Sequence, residues 1–277
     1  MNQKINKQEY SLDSKGKFLF IRHGQTICNS DKNNKERKIN PDYLDSHLSE
    51  KGIKQAKELN NIIKNFKIEA IYVSPLYRSL ETVKYMLKSI SNFKGEIIVH
   101  PLIIECPNCI DDFIYDINET KNDFKDLNVN WNIFYDFVKK YQKWNENFYY
   151  FEYFNRLTDS QKNNKYQKLL DLYNRKEMNI LKKVIVNEMP KIIFNKEGLQ
   201  PFESFKHVYS RFLEFKNFLR EKYKDSLDNI DNKVIIVTHG DFLGVITNKY
   251  LYENDDVNAF AKDGCHCKNC GIVSIYI

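Results

Sequence analysis

Four short apolar runs, each stopping at a polar or basic residue, limit what this chain can fold into. They are "KFLFIR" (17–22), "EAIYVS" (69–74), "EIIVH" (96–100) and "KVIIVTH" (233–239). Unbroken apolar runs of this length, lacking the alternation of a half-exposed strand, mark parallel strands covered on both faces. Helical patterns separate them. "LSEKGIKQAKELNNIIKNF" opens behind Ser49, a capping residue type, and repeats Ile53, Ala56, Leu59, Ile62, Ile63 and Phe66 at steps of three and four. "SLETVKYMLKSI" turns Leu80, Val83, Met86, Leu87 and Ile90 inward, and "ESFKHVYSRFLEFKNFLREKY" is long and amphipathic. "FLGVITNKYL" reads as one more helix before the closing strand "GIVSIYI". Strands alternating with helices predict an α/β fold, a three-layer α/β/α sandwich with a mostly parallel sheet.

Between 111 and 200 the rhythm changes. Trp131, Phe134, Phe137, Val138, Tyr141, Trp144 and Phe148 fall on one helical face, and "YQKLLDLYNRKEMNILKKVI" is helical in pattern. The expectation is a single domain over 1–277 with a mainly helical insertion at 111–200, its aromatic stripe packed on the α/β core. An insertion emerging at the strand ends also suits a lid over a pocket.

At 277 residues the chain has room for one large α/β domain, and nine Gly with six Pro leave little for flexible linkers. The net charge of +6 suits a small anionic substrate, but the basic residues are scattered, so no nucleic-acid partner is expected. No apolar stretch is long enough for a membrane span. The first residues, "MNQKINKQEYSLDSKGK", lack the apolar centre of a secretory signal. Six cysteines without such a signal point to the cytoplasm, with reduced thiols.

Ligands of open α/β sheets bind beyond the carboxyl ends of the strands. Arg22-His23-Gly24 and His239-Gly240 stand at two such ends, and "VSPLYRSLET" (73–82) leaves a third with Arg78. In one sheet, two arginines and two histidines would converge. Guanidinium forks match phosphoryl oxygens. A neutral imidazole can attack phosphorus near pH 7 once a hydrogen bond fixes its tautomer, and a second ring can steady the oxygens as charge shifts.

"RHGQTICN", "SPLYRSLET" and "THG", in this order and spacing, resemble the histidine phosphatase superfamily, branch 1, with its phosphoglycerate mutase-like fold; "LSEKGIKQA" resembles a helix start of the same family. The resemblance covers about 17 to 107 and 200 to 277, and "PDYLDSHLSEKG" and "ESFKHVYSRF" are most similar to plant and yeast members of uncertain substrate. It implies a phosphohistidine on His23, with Arg22, Arg78 and His239 around the phosphoryl oxygens. Asn29 and Thr26 match pocket positions, and the Gly240 backbone NH is a further donor. Glu105, in "PLIIECPN", is implied as the acid that protonates the leaving oxygen and then activates water. No metal or other cofactor is implied.

Some readings stay open. The family carries a glycine just past its acid and "ECPNCIDDF" has none, so Asp111 and Asp112 compete with Glu105. Asp241 resembles the acid of the other branch, except that Gly240 separates it from His239. "CPNC" (106–109) and "CHCKNC" (265–270) have the spacing of a structural zinc site, or are unligated thiols. The expected activity is hydrolysis of a small phosphate monoester through a phosphohistidine. The alternative is a phosphoglycerate mutase, although the segment with which such mutases close on phosphoglycerate is not found in 106–200. A phospho-ligand-binding scaffold is a third reading, set against the retention of Arg22, His23, Arg78 and His239. Substrate identity and oligomeric state stay open.

Overall fold

The computed structural model describes residues 10–11, 14–31, 41–88, 90, 93–106, 110–112, 114, 117–140, 194–195, 198–199, 205–254 and 267–277. The apolar runs become the centre of a seven-stranded sheet. In chain order its strands are β1 (Tyr10–Ser11), β2 (Phe18–Arg22), β3 (Lys67–Val73), β4 (Glu96–Val99), β5 (Val129–Asn130), β8 (Asn232–Thr238) and β9 (Ile272–Ile275), arranged β1-β9-β2-β8-β3-β4-β5. The five from β2 to β5 run parallel, while β9 and β1 add an antiparallel edge. Among the described residues, two further strands, β6 (Phe194–Asn195) and β7 (Gly198–Leu199), pair only with each other.

Side chains alternate across the sheet, as period-two geometry requires. Ile21, Ile71, Val73, Ile97, Val99, Ile235 and Val237 enter one apolar core, and Phe18, Phe20, Ala70, Tyr72, Ile98, Val234 and Ile236 the other. Helices α1 (Ile27–Ser30), α2 (Glu50–Ile63), α3 (Tyr77–Leu87), α4 (Ile117–Asp123) and α5 (Asn132–Lys140) precede the hairpin. Helices α6 (Phe205–Tyr223), α7 (Gly240–Thr247) and α8 (Lys249–Asn254) follow it. Residues of α2 to α5 line the first core, and those of α6 to α8 the second. The three-layer α/β/α expectation holds.

Ser49 caps α2 by accepting from Gly52 N at 3.1 Å. Ile62, expected inward, is exposed: the buried stripe runs Ala56–Leu59–Ile63, and one helical step from Ile63 turns its neighbour about 100° away. The single helix expected over "FLGVITNKYL" is two, because Asn248 leaves helical geometry between α7 and α8. Part of the 111–200 stretch joins the core. Ile117, Phe124, Trp131 and Phe134 are buried in the first core, Phe137 packs against both cores, and β5 extends the sheet beside β4. Tyr141, Trp144, Phe148 and the helical pattern beyond them lie outside the described residues. No helix among the described residues is long and apolar enough to cross a membrane.

Candidate active site

Register brings the distant segments together. In the parallel pairing of β2 with β8, Arg22 faces Thr238, so the next residues out, His23 and His239, stand side by side beyond the strand ends. His23 N donates to Thr238 O at 2.9 Å, and the two rings lie 5.1 Å apart between centroids. On the other side of β8, Ser74 N donates to Val237 O, so the chain leaves β3 at the same level.

The buried His23 ring is fixed in one tautomer. Its Nδ1 lies 2.7 Å from the carbonyl oxygen of Gly24, which can only accept, so Nδ1 carries the hydrogen. Burial, then the charges of Arg78 and Arg22, hold the ring well below the ordinary histidine range, so it is neutral with a lone pair on Nε2. That is the state attack on an electrophile requires. The turn carrying it is braced from outside. Gly24 N donates to Thr82 Oγ1, Gln25 N to Gln55 Oε1, and the first turn of α2 packs directly on this backbone. A Cβ on Gly52 would lie 2.0 Å from Gln25 O, so the approach requires glycine there.

His239 is buried too, and is held neutral by burial and by the charges of Arg78 and others. Its Nε2 lies 2.6 Å from Ser74 Oγ and 3.4 Å from Ser79 Oγ, while its buried Nδ1 has no partner among the described residues. A hydroxyl can donate or accept, so Ser74 supports either tautomer.

Of the three candidate acids, the structure brings Glu105 to the histidines. Its Oε1 accepts from Cys106 N at 2.9 Å and Phe242 N at 2.8 Å, and Oε2 from Asp241 N at 3.3 Å. Burial, then the charge of Asp241, pushes its carboxyl up to about 8, against the opposing effects of Arg78 and the amide donors. A carboxyl protonated at neutral pH can give a proton away. Asp111 and Asp112 instead hold Arg78: its NH1 donates to Asp111 O, and its NH2 meets Asp112 Oδ1 at 2.7 Å. This fully buried guanidinium therefore has its counter-charges beside it, and its Nε has no partner among the described residues.

Arg22 is half-buried, donates from NH1 to Cys267 O at 3.0 Å, and likewise has a buried Nε without a partner among the described residues. Gly240 heads α7 against the face of the Arg22 guanidinium. Thr26 caps α1, its Oγ1 accepting from Asn29 N at 2.9 Å, and Asn29 Oδ1 is buried without a partner among the described residues.

Sequence reasoning missed three supports. Ser74 sits in the quoted "VSPLYRSLET", but its partner is 165 residues away. Arg211, on the buried stripe of α6 between Val208 and Phe212, donates to Leu102 O and Glu105 O and so braces the Glu105 segment. A charged residue on an apolar stripe was the available signal. The turn from Cys267 to Gly271 clamps the Arg22-His23 backbone: Cys270 N donates to Arg22 O, and Asn269 Nδ2 to His23 O at 3.1 Å. As for the zinc spacing, Cys106 and Cys267 are buried and Cys270 is half-buried, whereas Cys109 and Cys265 lie outside the described residues.

Residues 18–112 match the model of the histidine phosphatase superfamily (branch 1). Over 83 residues the chain is 32% identical to the 2,3-bisphosphoglycerate-dependent phosphoglycerate mutases of Chlamydia muridarum and Chlamydia felis, a stretch that is 30% of this chain and 34% of theirs. The match thus spans about a third of those relatives' length. Among solved structures, a mycobacterial glucosyl-3-phosphoglycerate phosphatase complexed with VO3 aligns over 95% of this chain and 89% of its own, at 14% identity and a TM-score of 0.46. A phosphoglycerate mutase from Bacillus anthracis aligns over 95% and 90%, at 17% identity and a TM-score of 0.43. The three motif segments that meet at one end of the parallel sheet agree with this match, and over residues 18–112 the chain is similar to the histidine phosphatase superfamily, branch 1.

Proposed function

We propose that the protein hydrolyses small phosphate monoesters through a phosphohistidine on His23. One observation carries this reading: the Gly24 carbonyl takes the Nδ1 hydrogen, which leaves the Nε2 lone pair for phosphorus in a pocket shared with His239 and Glu105. His23 Nε2 attacks phosphorus as the ester P–O bond breaks, and protonated Glu105 gives its proton to the departing oxygen. Arg22, Arg78, Asn29, Thr26 and the Gly240 N–H hold the phosphoryl oxygens, and His239 donates to them from Nδ1. Water then attacks the phosphohistidine, Glu105 carboxylate takes the proton, and the P–N bond breaks to release phosphate. The arginines offset the charge of the transferring group and neutral His239 adds a hydrogen bond, so the proposed reaction calls on no metal.

Hydrolysis of p-nitrophenyl phosphate by wild type and by His23→Ala tests the proposal. Activity confined to wild type, with acid-labile radiolabel on His23 after reaction with labelled substrate, supports it; equal rates in the two proteins end it. A panel of phosphate monoesters then identifies the substrate class. Mutase activity is the second reading, favoured by the Chlamydia relatives. In that case a substrate hydroxyl, not water, meets the phosphoenzyme. Formation of 2-phosphoglycerate from 3-phosphoglycerate with 2,3-bisphosphoglycerate would establish it.

A further inference from the structure

Two imidazoles and a carboxylate buried together are a phosphoryl-transfer set, but they are also a set of metal ligands. Ligand-type atoms of His23, Glu105 and His239 all lie within 4.8 Å of one another, and no other His, Cys, Asp and Glu side chains among the described residues form such a group. A tetrahedral zinc ion separates its nitrogen and oxygen ligands by about 3.4 Å. The widest gap therefore closes with about 0.7 Å of movement from each of two side chains.

The surroundings of the trio already suit coordination. A metal-bound imidazole characteristically donates its other N–H to a fixed acceptor. His23 does so to Gly24 O at 2.7 Å, which leaves Nε2 for a ligand. His239 can do so from Nε2 to Ser74 Oγ at 2.6 Å, which puts a lone pair on its buried Nδ1, without a partner among the described residues. Ser74 thus permits the ring to present N–H to a phosphoryl oxygen or a lone pair to a cation. Glu105 Oε1 takes two short amide bonds, and Oε2, with only the longer bond from Asp241 N, is the oxygen left to coordinate. The cations opposing a metal ion here are Arg78, Arg211 and Arg22, of which Arg78 has Asp111 and Asp112 beside it.

We infer that a divalent transition-metal ion of the zinc type binds His23 Nε2, His239 Nδ1 and Glu105 Oε2 and competes with phosphoryl groups for this pocket. Two histidines and a carboxylate with an open fourth position form a donor set of catalytic zinc sites. Magnesium and calcium demand mainly oxygen ligands and meet one carboxylate here, so they are excluded. The ion blocks the very nitrogen proposed to attack phosphorus. Inhibition rests on that proposed function; binding does not.

Cobalt(II) titrated into metal-stripped, full-length protein tests the site, because imidazole–carboxylate ligation is spectrally distinct from thiolate ligation. Wild type is expected to show ligand-field bands for one equivalent without thiolate charge transfer, abolished by zinc and untouched by magnesium. Glu105→Gln and, separately, His239→Gln are expected to weaken that equivalent by about a hundredfold or more, the upper end of what losing an outer-shell partner costs. Circular dichroism establishes that each variant is folded. Absence of these bands in wild type overturns the proposal whatever the variants do, as do bands that persist unchanged in both folded variants. Zinc binding with no p-nitrophenyl phosphate hydrolysis to inhibit would sink the phosphatase reading and leave the metal site standing.

Discussion

Gly240→Ala separates what the Arg22 guanidinium does for activity from what the surrounding residues do for stability. A Cβ at this position would lie 2.8 Å from Arg22 Cζ, 2.9 Å from Nε and 3.0 Å from NH2. Carbon contacts are comfortable from about 3.5 Å, so the fork must retreat by roughly 0.7 Å. It is the guanidinium that yields, because it ends a flexible, half-buried side chain, whereas Gly240 belongs to the first turn of α7. The new methyl itself suits a helix, worth up to about 0.5–1 kcal/mol in favour of alanine. Thermal melting should therefore change little. A charge-assisted hydrogen bond is worth about 1.5–3 kcal/mol, so misplacing the fork should lower kcat/KM for p-nitrophenyl phosphate about ten- to a hundredfold. Inhibition by orthovanadate should weaken in parallel. Arg22→Lys already lacks the planar fork, so Gly240→Ala should cost far less in that background. A folded Gly240→Ala protein within about twofold of wild type, or costs that simply add in the double variant, would refute this account of Arg22.

Ser74→Ala removes the 2.6 Å partner of His239 Nε2 and should lower kcat at least about tenfold with little change in KM, while the melting temperature holds. With Glu105 pushed up to about 8, kcat/KM for alkyl phosphates should fall as pH rises through that value, and Glu105→Gln should erase the limb. The same substitution should slow alkyl phosphates much more than p-nitrophenyl phosphate, whose leaving group needs little help from an acid. The folded protein keeps on Glu105 a proton that the unfolded chain releases above the ordinary value of 4.5. Wild type should therefore lose stability relative to Glu105→Gln as pH rises from 4.5 to about 8, seen as diverging urea midpoints. Asp112→Asn leaves buried Arg78 with one counter-charge fewer and should cost about 1–3 kcal/mol by urea unfolding.

The strands that carry the site were legible because each is buried on both faces and reads as one apolar run. Edge strands β1 and β5, two residues each, leave no such trace, since backbone pairing alone defines them. The same division runs through the site. Arg22, His23, Arg78 and His239 stand at strand ends or helix starts, where local pattern predicts the position. What the pattern lacked was pairing across the chain. Nothing near Asp111 and Asp112 indicates that a guanidinium 33 or 34 residues earlier claims them, yet that pairing ties both to Arg78 while Glu105 lies by the histidines. Glu105 was favoured only by resemblance; its burial and its three amide donors, two of them from α7, are tertiary facts.

Main-chain groups do most of the holding. Gly24 O fixes His23, Cys267 O holds Arg22, Asp111 O takes Arg78, and the amides of Cys106, Asp241 and Phe242 hold Glu105. Arg211, the brace behind Glu105, also ends on two carbonyls. Any residue type can present a carbonyl, and all but proline an N–H, so such a site constrains the path of its loops far more than their composition. The Cys-rich turn serves by its carbonyl at 267 and its amide at 270, and thiols are not needed for either. A cation or a phosphoryl group entering this pocket would therefore meet side chains whose positions depend on backbone geometry, with Ser74 as the hydroxyl that lets His239 offer either a lone pair or an N–H.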